Sequence, residues 1–181
     1  MGRLIKLIKI FLLIITCFCS CKNKKVPVKV LLDYSYDSGW THSYSIKVYS
    51  DGKAYLRKND LKKSSFYVKD RINIDSLYVI ISKIKEQNIA NKYEDTHVHD
   101  APSFNAIVYD DVGKASKYYV YGYKYPESLQ EIRNHVNTLY KEKGWSQLKD
   151  TAIIFSSMIN FIYTPTVIDT GIRILSPKEL N

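Results

Sequence analysis

The sequence predicts an α+β domain in which an antiparallel sheet of short strands carries helices packed on one face. Three observations lead there. Polar and apolar residues alternate over 43–49 and 64–69, as half-buried strands require. In two other stretches, 74–84 and 129–139, the apolar period lengthens to three and four residues, which draws a stripe along a helix. Strands and helices also come in runs, ββββ-α-ββ-α, and segregated runs favour an antiparallel sheet with helices on one side over a parallel βαβ sheet.

Taken in order, residues 26–32 read as a first strand, and residues 43–49 as a second that turns Tyr44, Ile46 and Val48 toward the core. Asp51-Gly52 suits a tight type I′ hairpin because both residue types tolerate positive φ, so residues 53–57 should return antiparallel. After a polar break at Asn59-Asp60, residues 64–69 alternate again, with Phe66 and Val68 on one face. Ile74, Leu77, Ile81 and Ile84 mark a helix over 75–88, with Asn73 or Asp75 able to cap its first turn. A polar loop over 91–102 leads to a second hairpin, 104–109 with 116–123, turning at Asp110-Asp111-Val112-Gly113. Pro126 fits the first turn of a second helix, where its missing N–H costs nothing. Leu129, Ile132, Val136 and Leu139 form its stripe, and Gly144 fits its stop.

The tail is apolar at 152–155, 159–163, 167–168 and 172–175, with a break at Pro165. Helix and strand readings compete there. So much apolar surface would be a liability if left exposed, so the tail is expected to dock on the domain. The expected organisation is 1–20 as a leader, 21–26 as a tether, 27–145 as the α+β domain and 146–181 as a docked C-terminal extension. No internal repeat at solenoid spacing occurs.

The leader has the three parts of a secretory signal: basic Arg3, Lys6 and Lys9, an apolar run over 10–18, and small Ser20 before Cys21. A membrane-crossing helix needs about 20 apolar residues, and this run is roughly half of that. Phe18-Cys19-Ser20-Cys21 resembles the lipobox of bacterial lipoproteins, although Phe18 replaces the usual Leu and Cys19 stands where a small residue is typical. Cys17 and Cys19 follow Thr16 and Phe18, which leaves Cys21 as the candidate. The resemblance implies a mature chain that begins at Cys21 and contacts membrane lipid through an acylated sulfur, with at least a diacylglyceryl group and palmitate-like chains. The alternatives are an ordinary signal peptide or an uncleaved anchor. Lys22-Asn23-Lys24-Lys25 lacks the acidic residues of a surface-export signal, which points to an outer-membrane anchor facing the periplasm.

Loss of the leader removes three basic residues and no acidic one, taking the formal charge from +9 to +6. The three lysines after Cys21 can add to membrane attachment, at roughly 1 kcal/mol each at best. Basic charge also raises nucleic acid as a partner. The lysines are scattered, however, and no nucleic-acid motif occurs, so none is expected. All three cysteines lie within 17–21, so no disulfide can staple the domain. A mature chain of about 160 residues can build one core without one.

Three constellations bear on chemistry. His97 and His99 lie two apart beside Asp100, and on an extended segment both imidazoles point the same way. Two histidines and a carboxylate are a partial ligand set for zinc or another transition metal, which would suit a metal-assisted hydrolase; histidines beside a surface turn are the plainer reading. Tyr119, Tyr121, Tyr123 and Tyr125 alternate, and on a strand they would lay four phenol rings along one face. Such a face suits sugar rings or peptides, while ordinary cross-strand pairing explains it equally among sixteen tyrosines. Glu94, Asp95, Asp100, Asp110 and Asp111 offer carboxylates for acid–base work, although Asp110-Asp111 fits a hairpin loop. No Gly-x-Ser-x-Gly, phosphate-binding loop, dinucleotide fingerprint or His-Glu-x-x-His occurs. No catalytic residue and no cofactor is therefore assigned.

Residues 28–145 resemble an uncharacterised domain of unknown function found in small Bacteroidota lipoproteins. The likeness rests on the strand into Ser43-Tyr44-Ser45-Ile46 and Asp51-Gly52, on Tyr93-Glu94-Asp95, on Asp100-Ala101-Pro102, and on the helix from Pro126 to Gly144-Trp145. Where members carry a cysteine-containing turn before the second strand, this chain has Asp37-Ser38-Gly39-Trp40, so no role of such cysteines carries over. The resemblance implies compartment, anchor and fold, and lends no activity. The expectation is an anchored envelope protein, more a binding or interaction module than an enzyme, with an envelope protein or a glycan as its ligand.

Overall fold

The computed structural model describes residues 27–39, 42–60, 63–149 and 153–159. The expected leader, the tether, Cys21 and the extension from 160 onward lie outside the described residues. Eight strands and three helices are seen among those described: β1 (Val30–Asp37), β2 (Ser43–Tyr49), β3 (Ala54–Asp60), β4 (Lys63–Lys69), α1 (Asp75–Gln87), β5 (Lys92–Glu94), β6 (Ser103–Tyr109), β7 (Ala115–Tyr121), α2 (Glu127–Lys141), β8 (Ser146–Leu148) and α3 (Ser156–Ile159). They form one α+β sheet in the order β5-β7-β6-β1-β2-β3-β4-β8. The sheet is mostly antiparallel, and the β5–β7 pair is parallel. Both edge strands are only three residues long, which limits the unpaired backbone offered to another chain.

The first strand is displaced from residues 26–32 to Val30–Asp37, and this strand is central, paired with both β2 and β6. Its Leu32, Tyr34 and Tyr36 face one side and Asp33, Ser35 and Asp37 the other, a pattern whose polar half resembles a loop. The short β5 falls inside the expected polar loop of 91–102. The edge strand β8 pairs with β4 beyond residue 145, so the sheet runs past the boundary expected for the domain.

Asp51-Gly52 makes a hairpin of another type from the one expected. Only Gly52 takes positive φ, at +79°, with its N–H bonded to Tyr49 C=O at 3.1 Å while Asp51 stays out of that region. This is a type I turn closed by a left-handed glycine. The β6–β7 hairpin repeats it, Gly113 N–H donating to Asp110 C=O at 2.9 Å. At α1 the N-cap position is Ile74, which lends no side-chain bond; Asn73, one residue earlier, accepts the Asp75 N–H at 2.9 Å. Helix α2 begins just after Pro126 and ends at Lys141, short of Gly144.

One face of the sheet is apolar and carries α1 and α2. Tyr44, Ile46 and Val48 of β2, Leu56 of β3, and Phe104, Ala106 and Val108 of β6 are buried there against Leu77, Ile81 and Ile84 of α1 and the Leu129, Ile132, Val136 and Leu139 stripe of α2. Among the described residues no helix is long and apolar enough to cross a membrane.

Candidate functional site

The opposite face of the sheet is where polar chemistry collects. Strand alternation and register place its residues in rungs across the strands. One rung runs Ile107, Asp33, Lys47, Tyr55, Val68; the next runs Asn105, Ser35, Ser45, Arg57, Phe66; a third runs Ser103, Asp37, Ser43, Asn59, Ser64. Asp33, Ser35, Ser45, Lys47 and Asn105 are all buried, although four of the five sit on the two central strands of a sheet whose two long helices, α1 and α2, lie on the other side. Residues 153–159 cover them, with Phe155 3% and Ser157 0% exposed.

Asp33 is the centre of the arrangement. One carboxylate oxygen pairs with Lys47 Nζ at 3.0 Å and accepts the Ser156 N–H at 2.8 Å; the other accepts the Ser157 hydroxyl at 2.6 Å. Ser35 Oγ lies 2.6 Å from Ser157 Oγ and 2.7 Å from Ser45 Oγ. Each hydroxyl has one hydrogen to give. Because the Ser157 hydrogen goes to Asp33, Ser35 must donate to Ser157 and Ser45 to Ser35. The hydroxyls form one directed chain that ends on the carboxylate. Lys47 also donates to the Ile154 carbonyl and lies 5.6 Å from the centre of the Phe155 ring. Arg57 donates to Met158 Sδ at 2.9 Å. A buried ion pair survives desolvation only when its remaining donors and acceptors are met, and much of that satisfaction comes from residues 153–159.

Beside Met158 the third rung stays open as a pocket of about 100 Å³, lined by Ser35, Asp37, Ser43, Ser45 and Asn59 together with Tyr36 and Met158. Its floor is ordered: Asn59 donates to Ser43 Oγ at 3.0 Å and accepts from Ser64 Oγ at 2.8 Å. Asn105 Nδ2, buried on the same face, has no hydrogen-bond partner among the described residues. The arrangement can bind hydroxyl, amide and carbonyl groups. Among the described residues nothing in it pairs a nucleophile with a free base.

The residues singled out from the sequence fall elsewhere. Four phenols on one face do not form. Strand β7 ends at Tyr121, and Gly122 follows with φ of +96° and a Cβ position only 2.7 Å from Asp95 Cβ, a site that admits no side chain. Tyr119 and Tyr121 remain on the polar face, Tyr123 is 61% exposed, and Tyr125 crosses to the helical side against Phe104 and Arg133. His97 lies in a turn and His99 in a bend, not on the extended segment expected to aim both rings one way. Among the described residues no three histidines, cysteines or carboxylates gather as a metal site, and His97, His99 and Asp100 are not brought together as ligands. Asp95 instead accepts the His97 N–H at 3.3 Å, and Asp110 accepts two backbone N–H groups within its own hairpin.

A second cleft, of about 240 Å³, opens between α1 and α2. Ser76 Oγ and His135 Nδ1 meet there at 3.3 Å, and burial holds the His135 ring below its ordinary pKa, with Glu142 opposing. Nucleophilic catalysis needs a third group to orient the base. Among the described residues no carboxylate bonds to His135, and Glu142 is engaged by Lys69.

No protein-family model, no curated protein and no solved structure matches this chain. The functional candidates therefore rest on geometry. Asp33, Ser35, Lys47 and Ser157 went unmarked in the sequence, whose one available signal was the strict alternation Leu32-Asp33-Tyr34-Ser35-Tyr36-Asp37.

Proposed function

We propose that this chain is a lipid-anchored protein of the bacterial envelope, held through acylated Cys21 in the outer membrane facing the periplasm, and that it works as a binding module rather than an enzyme. The observation that carries the binding reading is the polar sheet face: a buried acceptor, a buried ammonium and a directed hydroxyl chain, next to an open pocket whose groups are fixed by their own hydrogen bonds. Groups held in place before a ligand arrives lose little freedom on binding. Hydroxyl, amide and carboxylate lining at Ser43, Asn59 and Asp37 suits a partner rich in amide or hydroxyl groups, an envelope protein segment or a glycan.

The anchor reading rests on the leader and on Phe18-Cys19-Ser20-Cys21. Intact mass and membrane partitioning of wild type and Cys21→Ala test it. An acylated chain beginning at Cys21 supports the anchor, and an unmodified chain rejects it. The binding face is tested by a photo-crosslinking amino acid at Ser43, compared with one at Val79 on the far side, where α1 is exposed. Discrete adducts in envelopes from Ser43 alone are expected. Equal labelling from the two positions, or none from Ser43, contradicts the assignment of this face.

A further inference from the structure

The covering of the polar face has the form of a bound peptide. Along residues 153–159 each contact is of the kind a receptor makes with a short ligand: a carbonyl, that of Ile154, accepts from Lys47; a backbone N–H, that of Ser156, and a hydroxyl, that of Ser157, donate to Asp33; an aromatic ring, Phe155, is buried; a thioether, Met158, receives Arg57. The receptor residues come from β1, β2, β3 and β6, far away in sequence. None belongs to an element adjacent to the segment. The sheet itself is complete without it, because every strand of the eight pairs with another strand and none with residues 153–159. Helices α1 and α2 close the opposite face, and the apolar core between them and the sheet does not include the segment.

We infer that the polar face is a peptide-recognition site, that residues 153–159 occupy it in cis, and that its external ligand is a segment of an envelope protein with the same chemistry: an aromatic residue followed by two residues, the first giving its backbone N–H and the second its side-chain hydroxyl to Asp33. This rests on the binding-module reading above and names its ligand class. Recognition is by Asp33 and Lys47, with Ser35 donating to the ligand's hydroxyl as it does to Ser157. The open pocket beyond Met158 receives the residues that follow the segment in a longer ligand.

A tethered segment competes at an effective concentration in the millimolar range for a short connection. If the free peptide binds at about 10 µM, the cis segment lowers its apparent affinity about 100-fold. Full-length Phe155→Ala/Ser157→Ala removes two of the three side-chain anchors of the cis segment, leaving Met158, and leaves the receptor residues intact. The probe is a fluorescent peptide of residues 152–160, followed by anisotropy. The expected result is saturable one-to-one binding to the variant, at least tenfold tighter than to wild type. Adding Asp33→Asn to the variant should cost a further tenfold or more, and a peptide with Ser157→Ala should bind correspondingly less well.

A folded variant that fails to bind the peptide, or binds it irrespective of Asp33, overturns the inference. So does a variant that loses its native near-ultraviolet circular dichroism, because the segment would then be part of the folding core and not a ligand. Either failure leaves the Ser43 crosslinking test standing, so a glycan ligand at the open pocket would still be detected. Crosslinks at Ser43 from a glycan, with no peptide binding, would assign the face to that partner instead.

Discussion

The two faces of this sheet are buried by opposite means, the helical face along most of its strands and the polar face at its centre. On the helical side, Leu32, Ile46, Val48, Leu56 and Val108 meet the stripes of α1 and α2, and contact needs little more than matching shape. Burial of apolar surface is non-directional, so many side chains of suitable volume would serve. On the other side, Asp33, Lys47, Ser35, Ser45 and Ser157 are just as inaccessible, and each depends on a named partner at hydrogen-bond distance. The first face specifies that something apolar must cover it. The second specifies what that cover must donate and accept.

Breaking the charge at the centre should separate the faces most sharply. Asp33→Ala leaves Lys47 buried without its counter-ion, a change that costs about 3–5 kcal/mol, measurable by urea denaturation. Asp33→Ala/Lys47→Met removes both charges and should recover much of that loss. If the single variant loses no more than a surface pair would, the buried pair is not as described. Ser35→Ala interrupts the hydroxyl chain and should cost about 1 kcal/mol. The helical side offers the contrasting hydroxyl: Tyr34 is fully buried, its OH has no partner among the described residues, and burial raises its pKa well above the ordinary value. Tyr34→Phe should therefore leave stability unchanged or raise it by up to about 1 kcal/mol. A loss as large as that of Ser35→Ala would erase the distinction between the faces.

The smallest effect belongs to His135. Burial lowers its pKa in the folded chain below the ordinary 6.5, with Glu142 opposing. As pH falls the unfolded chain binds the proton first, so stability is flat above about 6.5 and declines as pH drops toward the folded value. His135→Gln should flatten that part of a stability-against-pH curve. An unchanged slope would remove His135 as its source.

The helical face was legible in the sequence because its signals are periodic. Ile74, Leu77, Ile81 and Ile84, and Leu129, Ile132, Val136 and Leu139, recur at helical spacing, and Tyr44, Ile46 and Val48 alternate against polar neighbours. The polar face was not, because the same alternation over Leu32–Asp37 has polar residues on a buried side, where Asp and Ser usually mark solvent. What buries them is the segment 153–159, more than a hundred residues away, and no local pattern announces that encounter. The tyrosine alternation misled for a related reason: period two holds only while the strand lasts, and Gly122 ends it. The His97–His99 pair misled because Asp95 organises that stretch as a turn.

Native-state hydrogen exchange tests whether residues 153–159 separate from the sheet, without altering a residue. The Ser156 and Met158 amides, bonded to Asp33 and to the Phe155 carbonyl, are compared with β1 and β2 amides across the same sheet. Exchange at Ser156 and Met158 is expected through a local opening, with little dependence on urea, while β1 and β2 exchange only through global unfolding. If the segment's amides share the free energy and the urea dependence of β1 and β2, residues 153–159 are an inseparable part of the fold, and the polar face is not a recognition site occupied in cis.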